Sequence, residues 1–205
     1  MNFLAHAVIS FKNPEILVGN MISDFVKGKK KYDYPPVILA GIHLHRAIDT
    51  FTDFHPATKE AKHYFSSAVG AYSGAFVDVV YDHFLAKDPL QFTETTTLEQ
   101  TAQETYTVLG SFQQQLPEPF RHMLPFMAAQ NWLYNYQNLA GIQNSFASVA
   151  RRATYLNSSH DVFELFQQHY ASLQECYSAF FPDVKAYAYG HLQMLLQQPP
   201  LIFET

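Results

Sequence analysis

Residues 41–56, GIHLHRAIDTFTDFHP, hold three histidines, two aspartates and an arginine in an otherwise apolar segment. Groups of these types coordinate cations, transfer protons or bind phosphate. At about 100° per residue on a helix, Leu44, Ala47, Ile48 and Phe51 form a core stripe. His45, Asp49 and Asp53 follow at i, i+4 and i+8 on a neighbouring strip, with Arg46 beside them and His43 well away.

Three further segments repeat the theme. His6 lies among Leu4, Val8 and Ile9; Asp24 interrupts NMISDFV; DVVYDHF holds Asp78 and the adjacent pair Asp82 and His83. A lone histidine in such a setting is usually a core residue. Asp53 and Asp78 read equally as solvated or packing residues. Taken together, buried carboxylates cost several kcal/mol each unless compensated, and a divalent cation compensates them. Imidazole with carboxylate suits Mn²⁺, Fe²⁺ or Zn²⁺, and the lack of thiolates argues against structural zinc. Such a centre would suit hydrolysis of a phosphate ester. Spacing alone leaves a metal centre and a structural polar network both open.

These residues need helices to carry them. Apolar positions recur at three and four throughout, glycines number only 8, and no strand-like alternation stands out. The expected helices cover 2–11, Pro14 to about Val26 behind an Asn13 cap, Pro36 to about Phe54, a short one from Pro56, and 72–87. GKKKYDY reads as a basic loop. Thr96 and Glu99 resemble a capping box for a helix to about Gln115. Further helices are expected over 118–129, 131–137, 139–153, 160–181 and 183–197, the last two separated at Pro182. The fold class is all-α, in one domain over 1–205.

Composition narrows the functional classes. Hydrophobic residues at 48% fit a folded globule, and charged residues at 15% make each charge in an apolar helix informative. A net charge of -5 gives no general argument for nucleic acid. A single cysteine, Cys176, excludes an internal disulfide framework. No apolar run approaches the ~18 residues of a membrane span, and MNFLAHAVISF lacks a basic leader, so a cytoplasmic location is expected. His55, His63, His122, His160, His169 and His191 form no usable pattern.

MNFLAH, GNMISDFVKG, PPVILAGIHLHRAIDTFTD and DVVYDHFL, in this order, resemble the acyl carrier protein phosphodiesterase family. The resemblance is specific through residues 1–87 and looser afterwards, at Gln130 to Leu133 and Ile142 to Arg152. It implies an all-helical, HD-domain-like bundle that removes 4′-phosphopantetheine from holo acyl carrier protein with a divalent metal. Mn²⁺ is the first choice, with Fe²⁺, Mg²⁺ or Zn²⁺ as alternatives. Carried over residue by residue, it implies metal ligands among His6, Asp24, His45, Asp49, Asp82 and His83, and catalytic roles for His45, Asp49, Arg46 and Asp53. Arg46 reads as a phosphate clamp or as an ion-pair partner of Asp49 or Asp53. Lys27, Lys29, Lys30 and Lys31 read as a docking run for the acidic carrier or as solvated charge. Alternative readings are a metal phosphohydrolase of a small phosphoester or nucleotide, and a non-enzymatic all-α binding protein.

Overall fold

The elements begin where the sequence supplies partners for free helix-end N–H groups. The computed structural model describes residues 1–152 and 160–197; the helix end expected at Ala153 and the side chain of His160 lie outside them. Asn2 opens α1 (Phe3–Val8) by accepting from the Phe3 N–H. Phe11 and Lys12 adopt φ of 51° and 58°, so this helix stops well before residue 11. Asn13 accepts from the N–H groups of Glu15 and Ile16 and, with Pro14, starts α2 (Pro14–Ile22). A 3₁₀ turn over Ser23–Phe25 replaces the expected last turn of this helix, and a second 3₁₀ segment spans Gly28–Asp33.

Helix α3 (Pro36–Phe54) has the extent its prolines and apolar stripe predict. The His55 ring nitrogen accepts from the Ala57 N–H and caps α4 (Pro56–Val69), which is longer than its sequence suggests. Helix α5 (Ser73–Ala86) follows and is buried along most of its length. The capping box of α6 (Leu98–Ser111) uses Thr97 and Gln100, one residue later than expected. That register turns Leu98, Ala102, Thr105 and Leu109 inward.

Helices α7 (Glu118–Ala129), α8 (Trp132–Asn135) and α9 (Leu139–Arg152) lead to α10 (His160–Gln168) and α11 (Tyr170–Gln197). The described residues contain only helices, turns and loops, in an all-α arrangement. The final break falls at His169, and Pro182 lies inside α11. A proline costs a helix interior about 3 kcal/mol. Burial of Phe180, Phe181 and Val184 around it offsets that at about 1.5–3 kcal/mol for each large apolar side chain.

The closest helix crossing is α2 on α3. A Cβ on Gly19 would lie 2.0 Å from the Ile38 carbonyl oxygen, and one on Gly41 would lie 2.5 Å from that of Ile16. The two backbones therefore touch, one residue before Asn20 and one turn before His45. Helix α11 packs along α3, α4 and α5 on the other side. Between them lies an aromatic core in which Tyr81 stacks on Phe180 and Phe146 meets Phe65, Phe76 and Phe166 edge-on.

Candidate metal centre

Asn20 organises the site. Its Oδ1 accepts from His6 Nδ1 at 2.8 Å, and its backbone carbonyl accepts from His45 Nδ1 at 2.7 Å. Its side-chain amide donates to the His6 carbonyl and the Ser10 hydroxyl. Both imidazoles thus carry their proton on Nδ1 and turn Nε2 towards one centre. The rings stack with centroids 4.0 Å apart. This is the arrangement by which outer partners fix the tautomer of a ligating histidine.

Asp49 spans the two rings. Its Oδ1 lies 3.3 Å from His6 Nε2 and its Oδ2 lies 3.0 Å from His45 Nε2. The pair His45 and Asp49 is one helical turn apart on α3, as their i, i+4 spacing requires. Asp24, on the 3₁₀ turn after α2, reaches His45 Nε2 with Oδ1 at 3.1 Å from the solvent side. Arg46 donates to the Val26 carbonyl at 2.9 Å and ties down the end of that turn.

The electrostatics favour positive charge at the centre. Burial lowers the His45 pKa, but hydrogen bonding to Asp24 and Asp49 outweighs it and raises it to about 9. Burial and neighbouring His45 push His6 down to about 4. Asp49 is held well below the usual carboxylate range: burial opposes this, but the Met1 ammonium and both histidines prevail. That ammonium lies 3.2 Å from both Asp49 and Asp78.

His6, His45 and Asp49 each bring one donor atom within 4.8 Å of the others, the one such metal-competent group among the described residues. His6 Nε2 is buried and makes no hydrogen bond. A lone pair so placed, beside a second imidazole nitrogen and a carboxylate, fits a divalent cation of the Mn²⁺, Fe²⁺ or Zn²⁺ type.

Other residues expected here lie elsewhere. Asp53 pairs with Lys62 at 2.7 Å and is 66% exposed. Asp82 is fully buried and accepts the Leu4 and Ala5 N–H groups at 2.7 and 3.1 Å, capping α1 from α5. Burial, only partly offset by those bonds, raises its pKa to about 7. His83 faces away: its Nδ1 donates to the Tyr136 carbonyl at 2.7 Å, and its Nε2 lies 3.0 Å from the Tyr170 hydroxyl. Burial pushes His83 down to about 4. Neither member of the Asp82 and His83 pair joins the cluster: Asp82 is held by the α1 N–H groups, and His83, about 100° round the helix, by Tyr136 and Tyr170. Among the described residues Arg46 pairs with the Val26 carbonyl and with neither Asp49 nor Asp53. Lys27, Lys29 and Lys30 are exposed and Lys31 is half-buried on the second 3₁₀ segment.

Sequence reasoning missed Asn20 and Arg152. Asn20 stands inside the GNMISDFVKG motif and is 0% exposed; a fully polar amide in an apolar helix was its signal. Arg152, distant in sequence, lines the cavity of about 490 Å³ over His6, His45 and Asp24.

The family model described as acyl carrier protein phosphodiesterase matches residues 1–184. An acyl carrier protein phosphodiesterase of Yersinia pestis is 33% identical over 184 residues, covering 90% of this chain and 95% of the relative. One of Photorhabdus laumondii is 32% identical over 182 residues, covering 89% and 92%. One of Escherichia coli O157:H7 is 31% identical over 192 residues, covering 92% and 97%. No solved structure matches.

Proposed function

The chain belongs to the acyl carrier protein phosphodiesterase family, and from that premise we propose that it hydrolyses the phosphodiester of holo acyl carrier protein, releasing 4′-phosphopantetheine and leaving the carrier serine free. The observation that carries the chemical part is the pair of imidazoles held by Asn20, with both Nε2 atoms converging on Asp49.

His6, His45 and Asp49 would hold a divalent cation, with a carboxylate oxygen of Asp24 as a fourth ligand from the open side. The ligand types suit Mn²⁺, Fe²⁺ or Zn²⁺ alike, and Mn²⁺ is the choice that the family resemblance implies. Bound there, the cation neutralises phosphate charge and lowers the pKa of a water. The protein's own groups do the rest. Asn20 takes the Nδ1–H of both rings and so directs each Nε2 to the centre. Asp82 anchors the N-terminus of α1 and so places His6. Arg46 fixes the turn that carries Asp24, acting as a positioning residue. The lysines of 27–31 flank that turn and meet the acidic surface of the carrier.

The test is intact mass of holo acyl carrier protein after incubation with the protein and Mn²⁺. Loss of the prosthetic-group mass is expected. An unchanged mass at stoichiometric enzyme would overturn the proposal.

A further inference from the structure

A second cavity of about 990 Å³ adjoins the metal centre, at the upper end of the range for ligand pockets. Asn2, Phe3, Phe25, Val149 and Arg152 line both it and the cavity over the histidines, so the two are neighbours that share a wall. A phosphoester with a small leaving group needs no such extension.

The walls have a definite chemistry. Helix α9 presents Asn144, Ser145 and Ser148 to the larger cavity, and Trp132 and Met123 contribute apolar surface. Neutral hydrogen-bonding groups interleaved with apolar ones suit a chain of amides and methylenes. Charge enters at one end, through Arg151 and Arg152 in the last turn of α9. Arg152 is the one lysine or arginine that lines both cavities. Its Nε donates to the Ser148 carbonyl at 3.3 Å, and among the described residues its terminal guanidinium N–H groups make no hydrogen bond. A guanidinium matches the geometry of phosphate oxygens.

We infer that the larger cavity receives the amide-containing arm of the substrate, and that Arg152, at the junction, binds the phosphodiester. This rests on the reading that the substrate carries a phosphopantetheine arm. It assigns the arm's direction: along α9, with the phosphorus between Arg152 and the metal centre. It also gives the phosphate-binding role to Arg152 in place of Arg46.

The test has a binding arm and a kinetic arm. Free 4′-phosphopantetheine is titrated calorimetrically into metal-free protein, with Ala147→Trp, Asn144→Leu, Arg152→Ala and Arg152→Lys as variants. Ala147 lines the larger cavity only, and Trp there fills it. Binding by Ala147→Trp should weaken at least about tenfold, the scale of one disrupted pocket contact. Arg152→Ala should weaken it about 10–100-fold, as expected for hydrogen bonds to a charged group, and Arg152→Lys should recover part of that. The ratio of kcat/KM on holo carrier to kcat/KM on bis(p-nitrophenyl) phosphate should fall about tenfold in Ala147→Trp. Asn144 is exposed, so Asn144→Leu decides the matter if the tryptophan variant does not fold. Native-like variants that bind the arm as tightly as the parent protein overturn the inference while leaving the function intact. A parent protein that leaves holo carrier uncleaved overturns the functional reading instead.

Discussion

Two places in this molecule bury an acid beside an imidazole, and they do opposite things. At the α2 and α3 crossing, His6 and His45 spend Nδ1 on Asn20 and turn Nε2 towards Asp49. On α5, His83 has protein partners at both ring nitrogens, and both oxygens of Asp82 receive backbone N–H groups. Residue types are alike and the histidines are buried in both places, but the Asp49 side chain is 39% exposed where Asp82 is fully buried. What differs is whether a donor atom remains unspent. A site with spare lone pairs is suited to bind something; a site with none holds helices together.

This contrast can be broken most sharply at the first site. His45→Ala or Asp49→Ala should lower kcat by more than about a hundredfold, since even outer-shell changes at metal sites cost 10–100-fold. Chelation of the parent protein should do the same, with Mn²⁺ restoring activity. Full activity in metal-free protein, verified by elemental analysis, would remove the basis for the comparison.

Asn20→Ala comes next. It leaves the proposed ligands in place but frees both imidazoles to rotate, so Mn²⁺ affinity should drop about 10–100-fold. Titration calorimetry reads this directly, and an unchanged affinity would mean that packing alone orients the rings.

The second site should respond in stability and not in metal affinity. His83 is held near 4 in the fold by burial, against 6.5 for the free group. Its unfolded form therefore binds the extra proton between those values. The stability it contributes is present above about 6.5 and is lost as pH falls towards 4. Asp82, raised to about 7, acts in the opposite sense over the same window, so the His83 contribution is read as a difference. The melting-temperature gap between parent protein and His83→Gln should shift against the parent as pH falls from 6.5 to 4, while Mn²⁺ affinity stays within about twofold. A pH profile that His83→Gln leaves unaltered would show that other groups dominate.

The smallest effect belongs to the surface. Lys29→Glu with Lys30→Glu should lower kcat/KM for holo carrier severalfold and flatten its dependence on salt, because exposed charges act through a Debye length of ~8 Å at physiological ionic strength. Hydrolysis of a generic phosphodiester serves as the control. Equal losses on both substrates would place these lysines in the catalytic geometry.

Much of the architecture was legible because it depends on local chemistry. Asn13 with Pro14, and the prolines before α3 and α4, mark helix starts that the structure shows. Errors arose where tertiary contact outweighs local signals. Pro182 reads as a stop, yet buried Phe180, Phe181 and Val184 keep α11 continuous through it. In the site, the i, i+4 pair His45 and Asp49 was readable, but the strip could not extend to Asp53. Eight residues at 100° leave it about 80° away from His45, where it meets Lys62. Asp82 and His83 misled because no sequence pattern records that their partners, the N–H groups of Leu4 and Ala5 and the carbonyl of Tyr136, are backbone groups of residues more than fifty positions away. Asn20 was hidden for the converse reason: an amide has no charge to draw attention, and its importance lies in the two rings it joins.

The contact of Gly19 and Gly41 has a consequence for motion. Side chains normally separate packed helices and let them slide by changing rotamers, but here backbone meets backbone at 2.9 Å from each imagined Cβ to the facing glycine Cα. Neither helix can advance along the other without collision. Asn20 and His45, beside that crossing, are therefore kept in register by main chain. In the language of hydrogen exchange, amides of α2 and α3 near the crossing should open only with the whole molecule and exchange last. The 3₁₀ turn bearing Asp24 is tied to α3 at Ser23 and Val26, so the centre has a floor set by main chain, and only the exposed Asp24 side chain lies at its rim.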